Sequence, residues 1–239
     1  MSLAEAVDRL MNNAQVLVGV DFDGTLAPIV DRPDLAVPDE RALDLLRRLA
    51  GEPGVAVAIV SGRGLDDLRE RVGDIHGVTF IGEHGNDIEG DPVEPSPELI
   101  EAEALVGSLH ERYPAATVEK KQRSVTFHTR ALGPGDTATV RDDIHQWIRG
   151  REGIDLIEGK EVFELTTATR SKGDAIRELA GDAPVIYIGD DTTDETVFEA
   201  LGPGDIGVKV GDGPTAATHR VEDIGGVVAI LEQIVLASG

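Results

Sequence analysis

Two aspartates one residue apart close an apolar run: Val16-Leu17-Val18-Gly19-Val20 leads into Asp21-Phe22-Asp23-Gly24-Thr25. In an extended segment residues i and i+2 share a face. Asp21 and Asp23 therefore point together where the segment ends. Two carboxylates ~6 Å apart repel by roughly 1–3 kcal/mol at effective dielectrics of about 80 down to 20. A cation between them, or a proton on one, relieves this. Oxygen donors suit a hard cation such as Mg²⁺, which also contacts phosphate. A D-x-D pair alone also fits a plain acidic turn. A second cluster, Gly189-Asp190-Asp191-Thr192-Thr193-Asp194-Glu195, likewise follows an apolar run. Thr192 or Thr193 could serve there as a helix N-cap, but that does not explain Asp190 at the end of the run. Two acid clusters at one sheet edge point to a metal site.

A metal among carboxylates calls for an anionic substrate. Ser61-Gly62-Arg63 follows Val55–Val60 and opens a helical pattern. Its hydroxyl and free N–H groups form a phosphate cradle, or else an ordinary strand–helix turn. The chain carries 45 acidic and 22 basic residues, a net charge of −23. Such a field disfavours nucleic acid and anionic membranes, and most of the acids read as a solvated surface. An anion site in this field needs local cations. Lysines are scarce: only Lys120, Lys121, Lys160, Lys172 and Lys209. Lys172, in Ser171-Lys172-Gly173, precedes a helical pattern, as a phosphate partner or as a solvated charge.

These residues need a scaffold that gathers them. Val16–Val20, Val55–Val60, Val78–Ile81 and Pro184–Ile188 read as buried parallel strands, each followed by a polar, Gly-containing loop. Helical patterns follow the second and fourth, and Asp39–Ala50 is amphipathic. Alternating strands and helices give an α/β sheet, whose ligands lie beyond the C-terminal strand ends. The middle of the chain differs. Pro97–Tyr113 reads as a helix, Thr117–Arg130 as a hairpin, Thr137–Ile148 as a helix and Ile154–Leu165 as a hairpin turning near Gly159. This is too large for a loop and reads as an inserted cap of residues 88–167 within a core of 1–87 and 168–239. Gly90–Pro97 is the linker candidate. With no cysteine, disulfides and thiolate zinc sites are excluded. No run approaches a membrane span and no leader pattern is present, so cytoplasm is the expected location.

Together "DFDGTLAPIV", "VSGR", "EHG", "KG" and "GDDTTDE" resemble the haloacid dehalogenase superfamily, and within it the trehalose-6-phosphate phosphatase family. Order and spacing extend from about Val16 to Ile230. The resemblance implies an α/β fold: a Rossmann-like parallel-sheet hydrolase core with a small inserted α/β cap. It implies a Mg²⁺-dependent phosphatase that acts on trehalose 6-phosphate through an aspartyl-phosphate. Asp21 would be the nucleophile and Asp23 the general acid, then base. The Asp21 carboxylate, the Asp23 backbone carbonyl and Asp190 would hold Mg²⁺, with Asp191 and Asp194 in support, directly or through water. Ser61, Gly62, Arg63 and Lys172 would bind the phosphoryl group. In the cap, Glu119, Lys121, Arg130, Lys160 and Glu164 would contact sugar hydroxyls; cross-strand ion pairs are the competing account. His84, in "GEHG", would line the substrate or simply support its loop.

Two departures stand out. Leu165–Arg170 lacks the family's basic residue and proline, and Ser171 stands before Lys172 where Asn or Asp is common. The expected partner is a small sugar phosphate, with no nucleic acid or membrane, for a monomer. Competing readings are a phosphatase of another sugar phosphate (sucrose-phosphate or mannosyl-phosphoglycerate type) and a catalytically silent sensor, which would not need both aspartates. A phospho-accepting receiver would not need the cap.

Overall fold

The computed structural model describes residues 2–30, 32–90, 96–159, 161–167 and 170–238. The chain divides into two compact units, Met1–Asp91 with Arg170–Gly239, and Pro92–Thr169.

The first unit is built on a seven-stranded sheet. Its members are β1 (Val16–Asp21), β2 (Val55–Val60), β3 (Val78–Gly82), β4 (Asp87–Ile88), β9 (Val185–Gly189), β10 (Ile206–Val210) and β11 (His219–Val221). The order is β11-β10-β9-β1-β2-β3-β4. All neighbours are parallel except β3 and β4. Strands buried on both faces read as continuous apolar runs, and β1, β9 and β10 are buried throughout. Helices α1 (Leu3–Met11), α2 (Glu40–Ala50), α3 (Leu65–Val72) and α8 (Ile224–Ser238) share one core with Val16, Val18 and Val20. Helices α6 (Lys172–Ala180) and α7 (Glu195–Ala200) share the opposite core with Leu17 and Tyr187. In α2 the buried Ala42, Leu45, Leu46 and Leu49 make one stripe; each buried leucine contributes about 1.5–3 kcal/mol. Asp39 caps this helix through the Ala42 N–H at 2.9 Å.

The second unit is a four-stranded antiparallel sheet, order β5-β6-β8-β7. It comprises β5 (Thr117–Lys120), β6 (Ser124–His128), β7 (Asp155–Gly159) and β8 (Val162–Thr166). Helices α4 (Pro97–Arg112) and α5 (Pro134–Ile148) close a core with Val125, Phe127, Phe163 and Leu165. The expected order of helix, hairpin, helix, hairpin is present. Helix α5 starts three residues before the expected Thr137, because Gly133 is its N-cap and Pro134 occupies the first turn, where proline's fixed φ is favourable. The linker candidate Gly90–Pro97 falls largely on residues 91–95, outside the described residues. Among the described residues no helix is long and apolar enough to cross a membrane.

Candidate active site

The register of the sheet assembles the motifs. Asp21 pairs with Val60 of β2, so Ser61 is one step beyond it. Val20 pairs with Ile188 of β9, so Asp190 lies one step beyond the residue level with Asp21. Ser171 caps α6: its Oγ accepts from Asp174 N at 3.1 Å, and Asp174 Oδ2 accepts from Ser171 N at 2.8 Å. This reciprocal box fixes Lys172 as the first helical residue. Ser171 thus supports the lysine by capping, in place of the amide or acid common at that position.

Lys172 is buried and its Nζ donates to Asp21 Oδ1 at 2.7 Å and to Asp194 Oδ1 at 2.9 Å. The buried Tyr187 hydroxyl also donates to Asp194 Oδ1, at 2.7 Å. Asp194 Oδ2 accepts from the Asp190 and Asp191 N–H groups at 2.9 and 3.0 Å. Asp194 therefore accepts four bonds, the capacity of a carboxylate, and holds the loop and the lysine together. Burial pushes the Asp21 carboxyl well above the usual carboxylate range; Lys172 pulls it back and Asp194 pushes it further up. Burial also pulls Lys172 down, but Asp21 and Asp194 outweigh that and leave it above the usual lysine range.

Beside this pair stands an acid lacking a partner. Asp190 Oδ1 is buried and accepts no hydrogen bond. Burial, then Asp194 and Asp191, push Asp190 up to about 6. One oxygen each from Asp21, Asp190 and Asp194 lie within 4.8 Å of one another. An orphaned buried oxygen and carboxylate donors fit a hard divalent cation. Since Asp194 is saturated, Asp21 and Asp190 are the side chains best placed to ligate one. Asp191 Oδ1 accepts from the Thr193 N–H and hydroxyl, both at 2.7 Å, and from Asp194 N at 3.1 Å; it shapes the loop. Gly24 lets the two acidic loops meet: its φ is +83°, and a Cβ there would lie 2.0 Å from Asp190 Oδ2.

Asp23 has a different surrounding. Arg63 Nε donates to its Oδ2 at 2.8 Å and Nη2 to its Oδ1 at 2.7 Å, while Nη1 donates to Asp67 Oδ2 at 2.6 Å. Arg63 was expected at the phosphate; its guanidinium bonds Asp23 and Asp67. Ser61 is buried, and its Oγ accepts from Arg63 N at 3.1 Å. Gly62 lies under the His84 ring, 2.3 Å from where a Cβ would stand. His84 is left-handed (φ 55°, ψ 31°), a strained state for such a residue. Its N–H donates to Ser61 O at 3.0 Å.

In the second unit, Glu119, Thr126 and Glu164 form one cross-strand row. Ser124 Oγ donates to Glu164 Oε1 at 2.6 Å, with Lys121 Nζ 3.7 Å from the same oxygen. Glu119 meets His128 at 3.3 Å. Arg130 follows the opposite end of β6 from Lys121, 3.5 Å from Glu161. Lys160 lies outside the described residues.

Several participants had no sequence signal of their own. Tyr187 looked like one more apolar strand residue. Lys209 was noticed only as scarce; it is buried and donates to the Asp190 carbonyl. Its strand, Ile206–Val210, is short and all buried, and its position between two Gly-containing turns was the available clue. Asn86 ties the third loop to the Lys172 segment, donating to Arg170 O at 2.8 Å and accepting from Arg170 N at 3.0 Å.

The chain is similar to known proteins along most of its length. The chain is 34% identical over 248 aligned positions to a bifunctional trehalose-6-phosphate synthase/phosphatase of Thermoproteus tenax, covering 96% of this chain and 34% of that protein. It is 35% identical to a trehalose-phosphate phosphatase of Mycobacterium marinum, covering 84% of this chain and 57% of that one. The chain thus spans less than two thirds of the length of either relative. Its fold is similar to that of Aspergillus fumigatus trehalose-6-phosphate phosphatase, with a TM-score of 0.71, 26% identity, and coverage of 98% and 97% of the two chains. The trehalose-phosphatase family model matches residues 19–223, from within β1 to just before α8. That span takes in both acidic loops and the whole second unit, and the chain belongs to the trehalose-phosphatase family.

Proposed function

We propose that this chain is a phosphoric monoester hydrolase converting trehalose 6-phosphate to trehalose and inorganic phosphate. The observation that carries the reading is the buried Asp21 carboxylate, bonded to Lys172 at 2.7 Å beside the unpartnered Asp190 oxygen. A binding protein gains nothing from a buried nucleophile with this support. An Asp21 oxygen forms a bond to phosphorus as the bond to the sugar oxygen breaks, and Asp23 gives that oxygen its proton. Water then forms the new bond to phosphorus, Asp21 leaves, and Asp23 takes the water proton. The covalent intermediate divides one hard step into two. Lys172 and Ser61 balance and orient the phosphoryl oxygens. Mg²⁺, held by Asp21, Asp190 and the Asp23 carbonyl with Asp191 and Asp194 shaping the loop, would neutralise phosphoryl charge.

Residues 88–167 are the inserted specificity domain in this reading. Glu119, Lys121 and Glu164 read the sugar hydroxyls, with Arg130 and Lys160 completing the set. The net charge of −23 supports a small-molecule partner rather than nucleic acid. The test is phosphate release from trehalose 6-phosphate, sucrose 6-phosphate and mannosyl-phosphoglycerate, with Mg²⁺ and with excess chelator. The expected result is release from trehalose 6-phosphate only, abolished by chelator and by Asp21→Asn in folded protein. Preference for another sugar overturns the substrate, and activity in folded Asp21→Asn overturns the nucleophile.

A further inference from the structure

We propose that Arg63 is the positioning residue for Asp23 and not a ligand of the transferring phosphoryl group. The inference rests on the phosphatase reading above. Both Asp23 oxygens accept from one edge of the guanidinium, at 2.8 and 2.7 Å. This fork fixes the plane of the carboxylate as well as its distance. Asp23 needs such an anchor. Its side chain is 41% exposed, and among the described residues no other side chain is bonded to it. A half-exposed carboxylate without an anchor samples several staggered rotamers.

Arg63 itself is tightly held. Its side chain is 10% exposed, and its guanidinium carbon lies 5.3 Å from the Phe22 ring centroid. Its Nη1 is bonded to Asp67, which Arg71 grips in turn at 3.0 and 3.2 Å. The chain of contacts runs from α3 to the residue that carries the proton. A phosphoryl dianion bound on Arg63 would have to approach between the Asp23 and Asp67 carboxylates, against like charge. Proton transfer, by contrast, needs an Asp23 oxygen within ~2.6–3.2 Å of the sugar oxygen in the first step and of water in the second. The fork sets where that oxygen is.

The two roles separate by leaving group. General acid–base catalysis contributes about 10²–10⁴ in rate, so misplacing the acid in Arg63→Met is expected to lower kcat/KM for trehalose 6-phosphate by roughly 10- to 100-fold. Nitrophenolate departs without a proton, so the pre-steady-state burst from 4-nitrophenyl phosphate is expected to stay within about threefold of wild type. Orthovanadate affinity, measured by calorimetry, is expected to be unchanged. An Asp23→Asn/Arg63→Met double variant is expected to lose no more than Asp23→Asn alone, since the two act as one unit. Arg63→Lys keeps the charge but not the fork and decides the matter if Arg63→Met fails to fold; partial rescue is expected. Equal losses on both phosphates with weakened vanadate binding, or additive losses in the double variant, would overturn the proposal. Failure of wild-type protein on trehalose 6-phosphate would sink the substrate reading alone. The burst and vanadate measurements would still judge Arg63.

Discussion

The two units hold their polar residues by opposite means. In the first, Asp21, Lys172, Asp194 and Tyr187 are all buried and joined at 2.7–2.9 Å. In the second, Glu119 meets His128 at 3.3 Å, Lys121 meets Glu164 at 3.7 Å, and Arg130 lies 3.5 Å from Glu161 with its side chain 90% exposed. Exposed pairs contribute about 0–1 kcal/mol; losing one member of a buried pair costs about 3–5 kcal/mol. On the roles proposed above, chemistry is tied to stability in one unit, while the less buried residues proposed for recognition in the other can be altered at smaller cost to folding.

The largest effect that separates the units is expected at Lys172. Lys172→Met leaves Asp21 and Asp194 facing each other without their cation. It should abolish phosphate release and lower the melting temperature by roughly 6–20 °C, on 3–5 kcal/mol at about 2–4 °C per kcal/mol. A variant with unchanged melting temperature would erase the contrast. Glu164→Ala should cut kcat/KM for trehalose 6-phosphate by roughly 10- to 150-fold, for a charged group bonding sugar hydroxyls at ~1.5–3 kcal/mol. Its stability should fall by about 1–3 kcal/mol, because the buried Ser124 hydroxyl loses its acceptor, and a small aryl phosphate should react as before. Parallel losses on both substrates would give Glu164 a structural role. The smallest effect concerns pH. The folded carboxyl of Asp190 is raised to about 6 from 3.8, so the folded state binds the extra proton. Its cost is absent below 3.8, grows as pH rises and is complete above about 6. A cation that needs the ionised form relieves that cost, so the melting-temperature gain on adding Mg²⁺ should be larger at pH 7.5 than at pH 5. Asp190→Asn should flatten the difference; an equal gain at both pH values would remove Asp190 from the cation site.

What the sequence made legible follows the same division. The apolar runs ending in Asp21, Ser61 and Asp190 could be read because parallel strands are buried on both faces and must stop at polar loops. The helices and hairpins of the second unit showed as helix-like stretches alternating with β-rich segments that turn at polar or Gly-containing centres. Helices α1 and α8 and strands β10 and β11 went unread: α8 is apolar around most of its surface, and β11 has three residues. The role of Arg63 was hidden for a different reason. Asp23 is forty positions away, and only the pairing of β1 with β2 brings the two side chains together. Tyr187 was hidden because its ring packs like any core residue, while its hydroxyl alone reaches Asp194.

The meeting of Gly24 with Asp190 constrains how such a site can change by descent. Any side chain at 24 collides with the Asp190 carboxylate, and shortening Asp190 to make room removes the oxygen that has no protein partner. Either single change passes through a damaged intermediate. Gly62 under the His84 ring adds a second lock of the same kind. Positions 24 and 190, separated by more than a hundred residues, can therefore be exchanged only together.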